Sequence, residues 1–426
     1  MRKGWETCNL EDFITLIDYR GKTPIKTESG IRLITAKNVK LGFLQTEPQE
    51  FIAEDNYDSW MTRGIPNYGD VIFTTEAPLA NVAQIDTHDK LAFAQRIIVM
   101  QPRANKIDST FLKYMLLSPD VRSEILGKGT GATVQGIKQS LLRKVRISFP
   151  QLPEQQRIVS ILDEAFEAID QAKANTERNL QNARELFQSE LNRIFTNKGE
   201  SWVEKKLGDL AVFRNGMNFT KQSNGESIKL VGVKDFQSRF WIDLQGLDSV
   251  TIDGSLNETD FLKENDILAV RSNGNPELIG RCMLAGPVTE KTSHSGFTIR
   301  IRLNSDNIYP PYLCHYLKST KAKAELIESG TGISIRSLNQ GALATLEIPF
   351  PSFSEQKNIV SLFDTLSAET KQLEANYQKK LESLEELKKS ILQKAFSGEL
   401  TRETTEIQME KLDMVAEEQA MYNPNQ

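Results

Sequence analysis

The sequence predicts an α+β fold in which two tandem globular domains, related by an approximate two-fold axis, are separated by two long, antiparallel, coiled-coil-like helices. The first observation is a repeat: residues 129–162 and 330–363 align without a gap at a shift of 201 residues, with 13 of 34 positions identical. Short apolar segments precede each copy in the same order, and a long helical pattern follows each copy. A self-match at so long a period indicates duplication of a whole domain with its exit helix, not a solenoid.

The duplication divides the chain into five predicted segments. The first globular domain covers residues 1–150, and a central long helix covers 151–199. The second globular domain covers 200–351, and a distal long helix covers 352–400. Residues 401–426 carry six acidic and two basic side chains and have no counterpart in the first copy, which predicts a disordered or partner-bound tail.

Composition excludes several classes of protein. With 39% hydrophobic and 26% charged residues, the chain is typical of globular proteins, and no apolar run is long enough to predict a membrane span. The N-terminus has no apolar signal-peptide core, and the three cysteines lie far apart, which together favour a reducing cytoplasm. The net charge is −5, but residues 1–150 carry 20 basic and 17 acidic side chains, so the acidic excess lies in the helices and the tail.

Each globular domain shows the same series of predicted elements. Apolar and β-branched runs that follow turn residues are typical of strands, and a short apolar helix comes after the last of them. A final turn and strand then lead into the long helix. The matched strands and helices are 31–39, 70–74, 95–100 and 111–117 in the first domain, and 228–236, 266–270, 297–303 and 312–317 in the second.

The two long helices are predicted from apolar residues at coiled-coil spacing over about 45 residues each, or roughly 65 Å. Pro153 suits the first turn of the central helix, and Ser354 stands at the matching position as a candidate N-cap of the distal helix. Gly199 and Gly398 supply the ends. A stripe of this length must be buried, and the other long helix is the most economical partner.

A search for catalytic chemistry returns no candidate. Tyr309-Pro-Pro-Tyr312 resembles an amino-methyltransferase motif, but the polar first residue is missing, and Pro-Pro is better explained as a helix start. No histidine or cysteine spacing is typical of a metal site, and His315 falls in an apolar helix as a core residue. We therefore expect no catalytic residues and no metal site in this chain.

Basic and amide-rich loops in both domains favour binding over catalysis. Arginine and lysine pair with guanine or phosphate, asparagine and glutamine pair with adenine, and backbone amides of the Gly-Thr-Gly loops could meet phosphates. For any one of these residues, an ordinary solvated surface position is the alternative. The candidates in the first domain are Arg20, Lys22, Lys37, Asn38, Thr74, Thr75, Asn81, Gln95, Arg96, Lys128, Thr130, Thr133, Gln135 and Lys138. Those in the second domain are Arg214, Asn215, Lys221, Lys234, Arg271, Ser272, Asn273, Asn275, Arg281, His294, Ser295, Thr331, Arg336 and Asn339.

One signature occurs twice, at 129–197 and 330–397: Gly-Thr-Gly, then Pro, Glu-Gln and Ile-Val, followed by a long helix. Two further marks are Gly-Asp-Val-Ile-Phe at 69–73 and Asn-Asp-Ile-Leu-Ala-Val-Arg-Ser-Asn-Gly-Asn at 265–275. In this combination the chain resembles the specificity subunits of type I restriction–modification systems over nearly its whole length. The acidic tail after Leu400 is a departure from that pattern.

The resemblance implies two target recognition domains, each of which reads one half of a split, asymmetric site in double-stranded DNA. It also implies that the paired helices set the spacing and dock two modification (methyltransferase) subunits, which restriction (endonuclease and translocase) subunits join. S-adenosylmethionine, ATP and magnesium would then belong to the partners, with no cofactor in this chain and no membrane involved.

Two other hypotheses remain open from the residues alone. The first is a coiled-coil scaffold without enzymatic activity that tethers two ligand-binding domains; it predicts neither a co-purifying methyltransferase nor salt-sensitive DNA binding. The second is a methyltransferase in its own right, which predicts that the isolated chain binds S-adenosylmethionine. The sequence lacks the glycine-rich donor loop that this second hypothesis needs.

Overall fold

The computed structural model describes residues 4–19, 23–103, 105–131, 134–218, 223–236, 239–253, 256–328 and 337–400. The chain divides into two compact units. Unit 1 consists of Met1–Glu177 and Lys379–Gln426, and unit 2 consists of Arg178–Gln378. Of the helices in these described ranges, none is long and apolar enough to span a lipid bilayer.

Unit 1 combines nine strands with four short helices and parts of both long helices in its described residues. The strands are β1 (Glu6–Asn9), β2 (Ile14–Asp18), β3 (Ile31–Ile34), β4 (Phe51–Ile52), β5 (Val71–Thr74), β6 (Val82–Gln84), β7 (Leu91–Phe93), β8 (Ile97–Pro102) and β9 (Arg146–Phe149). The helices are α1 (Tyr57–Trp60), α2 (Ser109–Leu117), α3 (Pro119–Gly127), α4 (Gln139–Leu142) and the long helix α5 (Leu152–Thr196).

The strands of unit 1 form three sheets. A four-stranded antiparallel sheet has the order β2-β8-β5-β6. A three-stranded sheet has the order β4-β3-β7, with β3 parallel to β7 and antiparallel to β4. The pair β1-β9 is antiparallel, with Cys8 opposite Ile147. That pair ties the beginning of the unit to the strand that leads directly into α5.

Unit 2 repeats this architecture strand for strand in its described residues. Its strands are β10 (Val203–Lys206), β11 (Ala211–Asn215), β12 (Ser227–Val231), β13 (Ser249–Thr251), β14 (Ile267–Val270), β15 (Cys282–Leu284), β16 (Thr292–His294), β17 (Thr298–Leu303) and β18 (Glu347–Phe350). Its helices are α6 (Leu207–Leu210), α7 (Pro310–Lys318), α8 (Thr320–Glu328), α9 (Gln340–Thr345) and the long helix α10 (Phe353–Ser397). The sheet orders β11-β17-β14-β15, β13-β12-β16 and β10-β18 match those of unit 1, which confirms the duplicated α+β fold.

The central sheet of unit 1 is buried on both faces. Phe73 of β5 packs in the hydrophobic cluster that includes Phe111 of α2. Its neighbour Ile72 packs in a second cluster with Leu33 of the three-stranded sheet. Successive side chains of a strand point to opposite faces, so each face of β5 needs apolar residues. This explains the unbroken apolar run that identified β5 in the sequence.

Two predicted strands end earlier than the sequence pattern indicates. The segment 31–39 is extended only as far as Ile34, because the backbone N–H of Thr35 donates to Oδ1 of Asn38 and the N–H of Asn38 donates to the carbonyl of Thr35 (3.0 and 2.9 Å). These two bonds close a turn. In unit 2, Gly232 and Asp235 close the equivalent turn, so 228–236 is extended only as far as Val231.

Each unit contains one half of each long helix, and the halves pack antiparallel. In unit 1, Lys388 Nζ lies 3.1 Å from Asp170 Oδ1, and Lys173 Nζ lies 2.5 Å from Glu385 Oε1. Three residues forward on α5 therefore correspond to three residues back on α10. In unit 2, the ring of Phe187 on α5 lies 5.9 Å from that of Phe363 on α10. The predicted antiparallel helix pair is confirmed within each unit.

A buried glutamine fixes the start of each long helix. Gln155 Oε1 accepts from the backbone N–H of Asp108 (2.9 Å), and Nε2 donates to the carbonyls of Lys106 (3.0 Å) and Pro150 (2.8 Å). Gln356 makes the same three bonds in unit 2, with lengths of 2.8, 2.8 and 3.0 Å. Both side chains are fully buried. The glutamine of the recurring Glu-Gln pair therefore joins the start of each long helix to the segment that caps α2 or α7 and to the residue that follows β9 or β18.

The ends of the long helices differ from prediction in two places. Helix α5 ends at Thr196, three residues before Gly199, so the prediction that Gly199 ends it is wrong. Helix α10 begins at Phe353, and the N–H of Glu355 donates to Oγ of Ser352 at 3.3 Å, so the prediction of Ser354 as the cap is wrong. The cap lies two residues earlier because Ser354 is already within the first helical turn. At the other end, Gly398 adopts a φ of +78°, a left-handed conformation that favours glycine, and it ends α10 as predicted.

Candidate nucleic-acid interface

Three loops converge at one end of the central sheet in unit 1. Thr75 follows β5, and its backbone N–H donates to the carbonyl of Arg96, in the turn before β8, at 2.9 Å. The carbonyl of Thr75 accepts from the N–H of Ile137, which follows the Gly-Thr-Gly loop, also at 2.9 Å. The end of β5, the turn before β8 and the Gly-Thr-Gly loop are thus held together through one backbone position.

The same junction occurs in unit 2. Arg271 follows β14, and its N–H donates to the carbonyl of Phe297, in the turn before β17, at 2.8 Å. Its carbonyl accepts from the N–H of Leu338 at 2.8 Å. Each unit therefore presents the same three-loop end with different side chains on it.

The Gly-Thr-Gly loop of unit 1 is closed on itself. Thr130 and Gly136 exchange two backbone hydrogen bonds of 2.8 and 2.9 Å. Gly131 has a φ of +125°, and a Cβ atom there would lie 2.1 Å from the carbonyl oxygen of Val134, so only glycine fits. The amide of Thr130 is already used inside the loop, which leaves the exposed side chains rather than this amide to meet a ligand. The whole second Gly-Thr-Gly loop, residues 330–336, lies outside the described residues.

The predicted site residues of unit 1 fall into two groups. Those whose side chains are exposed or half-buried are Lys37, Gln95, Arg96, Lys128, Thr130, Gln135 and Lys138. In this group Arg96 Nε lies 3.0 Å from Glu76 Oε1, and Lys128 Nζ lies 3.2 Å from Glu124 Oε1. Both ion pairs are solvated, so either cation can exchange its carboxylate for a phosphate at small cost.

The second group in unit 1 consists of buried polar residues that build the loops: Asn38, Thr74, Thr75 and Asn81. Asn38 Nδ2 donates to the carbonyls of Gln45 (3.2 Å) and Pro48 (3.0 Å). Asn81 Nδ2 donates to the carbonyl of Val39 at 2.8 Å. Because these side chains are buried and hydrogen-bond to the backbone, they hold the loops in place and are not exposed at the interface.

In unit 2 most predicted residues are also exposed or half-buried: Arg214, Asn215, Lys234, Arg271, Ser272, Asn273, Asn275, Arg281 and Asn339. Three of the amides have local roles. Asn273 Oδ1 accepts from the N–H of Asn275 (2.8 Å), which leaves its Nδ2 group to donate to a ligand. Asn275 Oδ1 accepts from the N–H of Glu277 (3.0 Å) and caps a short 3-10 helix, and Asn339 Oδ1 accepts from the N–H of Ala342 (2.8 Å) and caps α9. Arg214 pairs with Asp260, and Lys234 pairs with Asp248.

His294 and Ser295 lie inside unit 2. His294 Nδ1 is 2.9 Å from Thr298 Oγ1, and burial, reinforced by the positive charge of Arg300, lowers the pKa of the imidazole to about 3. The ring is therefore neutral at physiological pH, and it supports the turn before β17 without facing a ligand.

A concave surface in unit 2 brings several of these residues together. Lys234, Asn273 and Ser295 come from three different loops and line one cavity of about 570 Å³. Phe297 lines the same cavity and is 59% exposed, although it is not among the residues that the sequence singled out. Its position matches Arg96 of unit 1, because each directly precedes the long central strand. An alignment of the two copies at that turn would have identified Phe297 as a candidate, because it places Phe297 opposite Arg96.

Six predicted site residues lie outside the described residues: Arg20, Lys22, Thr133, Lys221, Thr331 and Arg336. Within the described ranges, no group of three or more histidine, cysteine or acidic residues is arranged to hold a metal ion.

Comparison with known proteins identifies the family. A family model for the type I restriction modification DNA specificity domain matches residues 2–180 and again 199–383. The StySPI specificity subunit of Salmonella potsdam is 25% identical over 422 residues, covering 94% of this chain and 90% of that protein. The EcoKI specificity subunit of Escherichia coli strain K12 is 25% identical over 429 residues, again covering 94% of this chain and 90% of that protein.

Two solved structures share the fold. A chain from work on complex assembly and conformational transition of the type I R-M system superposes with a TM-score of 0.69 at 18% identity, covering 94% of this chain and 99% of that chain. The HsdS subunit from Thermoanaerobacter tengcongensis gives a TM-score of 0.59 at 19% identity, covering 94% and 98%. Since the family model matches both copies of the duplicated unit and most of the chain, this protein belongs to the type I restriction–modification DNA specificity family.

Proposed function

We propose that each unit of this specificity subunit binds one half of a split, asymmetric DNA site through its three-loop end. The observation that carries the proposal is the junction that both units build from the same backbone bonds, at Thr75 in one unit and Arg271 in the other. The two units have the same backbone junction but different exposed side chains, as expected if they recognise different DNA sequences. On this proposal, residues 1–150 and 200–351 are the two target recognition domains.

The chemistry of the exposed side chains supports this assignment. Lys37, Lys128 and Lys138 in unit 1 are cations suited to phosphates, which fix the position of a protein on a duplex. Gln95 and Arg96 in unit 1, with Arg271 and Asn273 in unit 2, have the donors that read base edges in the major groove. Bases are then read by the turn before β8 in unit 1 and by the loop after β14 in unit 2, and phosphates are held around them.

The two long helices supply the second part of the proposal. They set the number of base pairs between the two half-sites that are not contacted. They also bind two methyltransferase subunits, and restriction subunits then join this complex. Joining two half-sites through a fixed spacer raises affinity through effective concentration. Catalysis, with S-adenosylmethionine, ATP and magnesium, takes place in those partners, and the complex as a whole methylates adenine and cleaves DNA.

The test is to map methylated adenines in the genome of a host that carries this chain together with its modification subunit. The same host without the chain is the control. A split motif that depends on the chain is the expected result, and it yields both half-sites at once. If the modification subunit is intact and expressed and no such motif arises, the proposal fails in favour of a scaffold that tethers two domains for other ligands.

Exchange of residues 1–150 for those of another family member assigns the halves. We expect that exchange to alter one half of the motif and leave the other half and the gap unchanged. A change in both halves would contradict independent reading by the two units.

A further inference from the structure

We propose that Phe297 determines specificity in unit 2, and that its ring makes apolar contact with a base of the half-site that this unit reads. The inference rests on the proposed function and names a residue and a contact that the proposed function leaves open.

The exposure of Phe297 is not explained by folding. Its side chain is 59% exposed at the tip of the turn between β16 and β17, where a polar residue would serve equally well. A phenyl ring in water forfeits the stabilisation that burial provides. Single exposed apolar residues also occur elsewhere on this protein, so the exposure of Phe297 supports a base contact only together with the cavity beside the ring.

The turn that carries Phe297 is rigid. The carbonyl of Phe297 accepts from the N–H groups of Arg271 (2.8 Å) and Ser272 (3.3 Å). Gly296 N–H donates to the carbonyl of Met217 at 2.7 Å. A Cβ atom on Gly296 would lie 2.3 Å from Oδ1 of Asn218, so the Asn218 side chain would have to move if Gly296 were replaced. A ring held on such a turn is presented without loss of backbone freedom on binding.

The cavity beside the ring suits a nucleobase. Phe297 lines it together with the apolar residues Leu230 and Val250, with Asn273, and with Lys234, whose exposed ion pair with Asp248 on the same surface can be exchanged for a phosphate at small cost. A base needs an apolar face or methyl contact, a hydrogen-bonding amide for its edge and a cation near the adjoining phosphate. These side chains supply all three on one concave surface.

Unit 1 presents a different side chain from the same position. Arg96 directly precedes β8, and its carbonyl accepts from Thr75 just as that of Phe297 accepts from Arg271. A guanidinium reads guanine or phosphate by hydrogen bonds, whereas a phenyl ring contacts the thymine methyl or a base face. The two units therefore place different chemistry at one equivalent point, which fits the reading of two different half-sites.

The test uses the full chain assembled with its modification subunits and duplexes that carry the motif found by methylation mapping. The half-site of unit 2 is taken from the domain exchange. We expect Phe297→Ala to weaken binding roughly 5- to 150-fold, the range for losing the readout of one base pair in a specific duplex site, and to relax base choice in that half only. Phe297→Arg, which copies unit 1, should change the preferred base there. Trp241→Ala removes an aromatic that is 49% exposed in the same unit but outside the cavity, and it should change binding less than about twofold.

Replacing each thymine of that half-site by uracil identifies the contact. If one replacement weakens wild-type binding and has no further effect on Phe297→Ala, the ring contacts a thymine methyl. If no replacement matters and Phe297→Ala is still weaker in that half, the ring packs on a base face. Both outcomes support the proposal.

Three results would overturn it. Phe297→Ala that binds and methylates within about twofold of wild type shows that the ring makes no such contact. Equal loss in both halves shows a general effect of the turn. A fall in the thermal midpoint, together with unaltered base choice in Phe297→Arg, shows a role in folding alone. A wild-type complex that methylates no motif is a different failure, since it refutes the proposed function before Phe297 is tested.

Discussion

Gln155 offers a sharp test of how each long helix is anchored. Its three hydrogen bonds reach two carbonyls and one N–H of the chain that precedes α5. Each such bond contributes about 1 kcal/mol net, and a buried partner left without a bond costs about 1–3 kcal/mol. We therefore expect Gln155→Ala to lower the free energy of unfolding by about 3–5 kcal/mol. Gln356→Ala should have a similar effect on unit 2, where the same three bonds occur.

Urea unfolding of the full chain, followed by circular dichroism, measures the effect as a shift in the midpoint. Gln156→Ala is the matched control, because Gln156 is on the same helical turn but exposed, and its substitution should cost less than about 0.5 kcal/mol. If Gln155→Ala and Gln156→Ala unfold at the same urea concentration, the buried bonds do not stabilise the helix start and the argument is refuted.

The isosteric Gln155→Glu separates hydrogen bonding from packing. A carboxylate at this position still accepts from Asp108 but faces the carbonyl oxygens of Lys106 and Pro150, so the folded state raises the pKa of the new group. A raised carboxyl pKa means that the loss of stability relative to wild type is largest at high pH and shrinks as pH falls and the group becomes protonated. A pH-independent deficit would show that volume and not charge is responsible.

The remaining predictions concern the loop, the buried histidines and the spacer. Gly131→Ala should lower the thermal midpoint by the equivalent of about 2–4 kcal/mol, because its Cβ would meet the carbonyl oxygen of Val134, whereas Gly127→Ala, with open space around its Cβ, should not. Burial lowers the pKa of both His294 and His315 from 6.5 to about 3. Above pH 6.5 both rings are neutral in the folded and the unfolded chain, and the stability of the folded state is at its full value. As pH falls from 6.5 towards 3, the unfolded chain binds protons that the folded chain does not, so the free energy of unfolding decreases. The free energy of unfolding falls by about 1.4 kcal/mol per pH unit for each histidine. The variant His315→Phe lacks one of the two groups, so its free energy of unfolding should fall less steeply, by that amount, between about pH 6 and about pH 4.5. An unchanged slope would contradict this. Insertion of about two helical turns into both long helices should lengthen the gap in the methylated motif, and a parental gap in that variant would show that the helices are not the ruler.

Much of the fold follows from the sequence because duplication and hydrophobic period are properties of the chain itself. The 201-residue shift predicts two units of one topology, and the apolar spacing predicts α5 and α10. The identical positions of the repeat also mark residues with a geometric task. Gln155 and Gln356 anchor the helix starts, and Gly131 is needed where a Cβ would strike a carbonyl.

The local pattern does not reveal which polar residues face outward. Asn38, Asn81 and His294 have the residue types of a nucleic-acid surface, yet all three are buried and bonded internally. The partner of Asn81 is the carbonyl of Val39, 42 residues away, and such a pairing arises only when segments that are separate in the chain meet. Burial of a polar group is a property of three-dimensional neighbours, which residue type and spacing do not encode.

The converse holds for Phe297, whose residue type alone suggests the core although it is 59% exposed. The sequence by itself determined the duplication, the order of elements and the helix pair, because these depend on spacing along the chain. Only the tertiary structure decided that Thr75 and Arg271 each join three loops and that Phe297 stands exposed beside Asn273. The physical reason is that backbone hydrogen bonds between distant loops set these neighbours, and their partners cannot be identified from either loop alone.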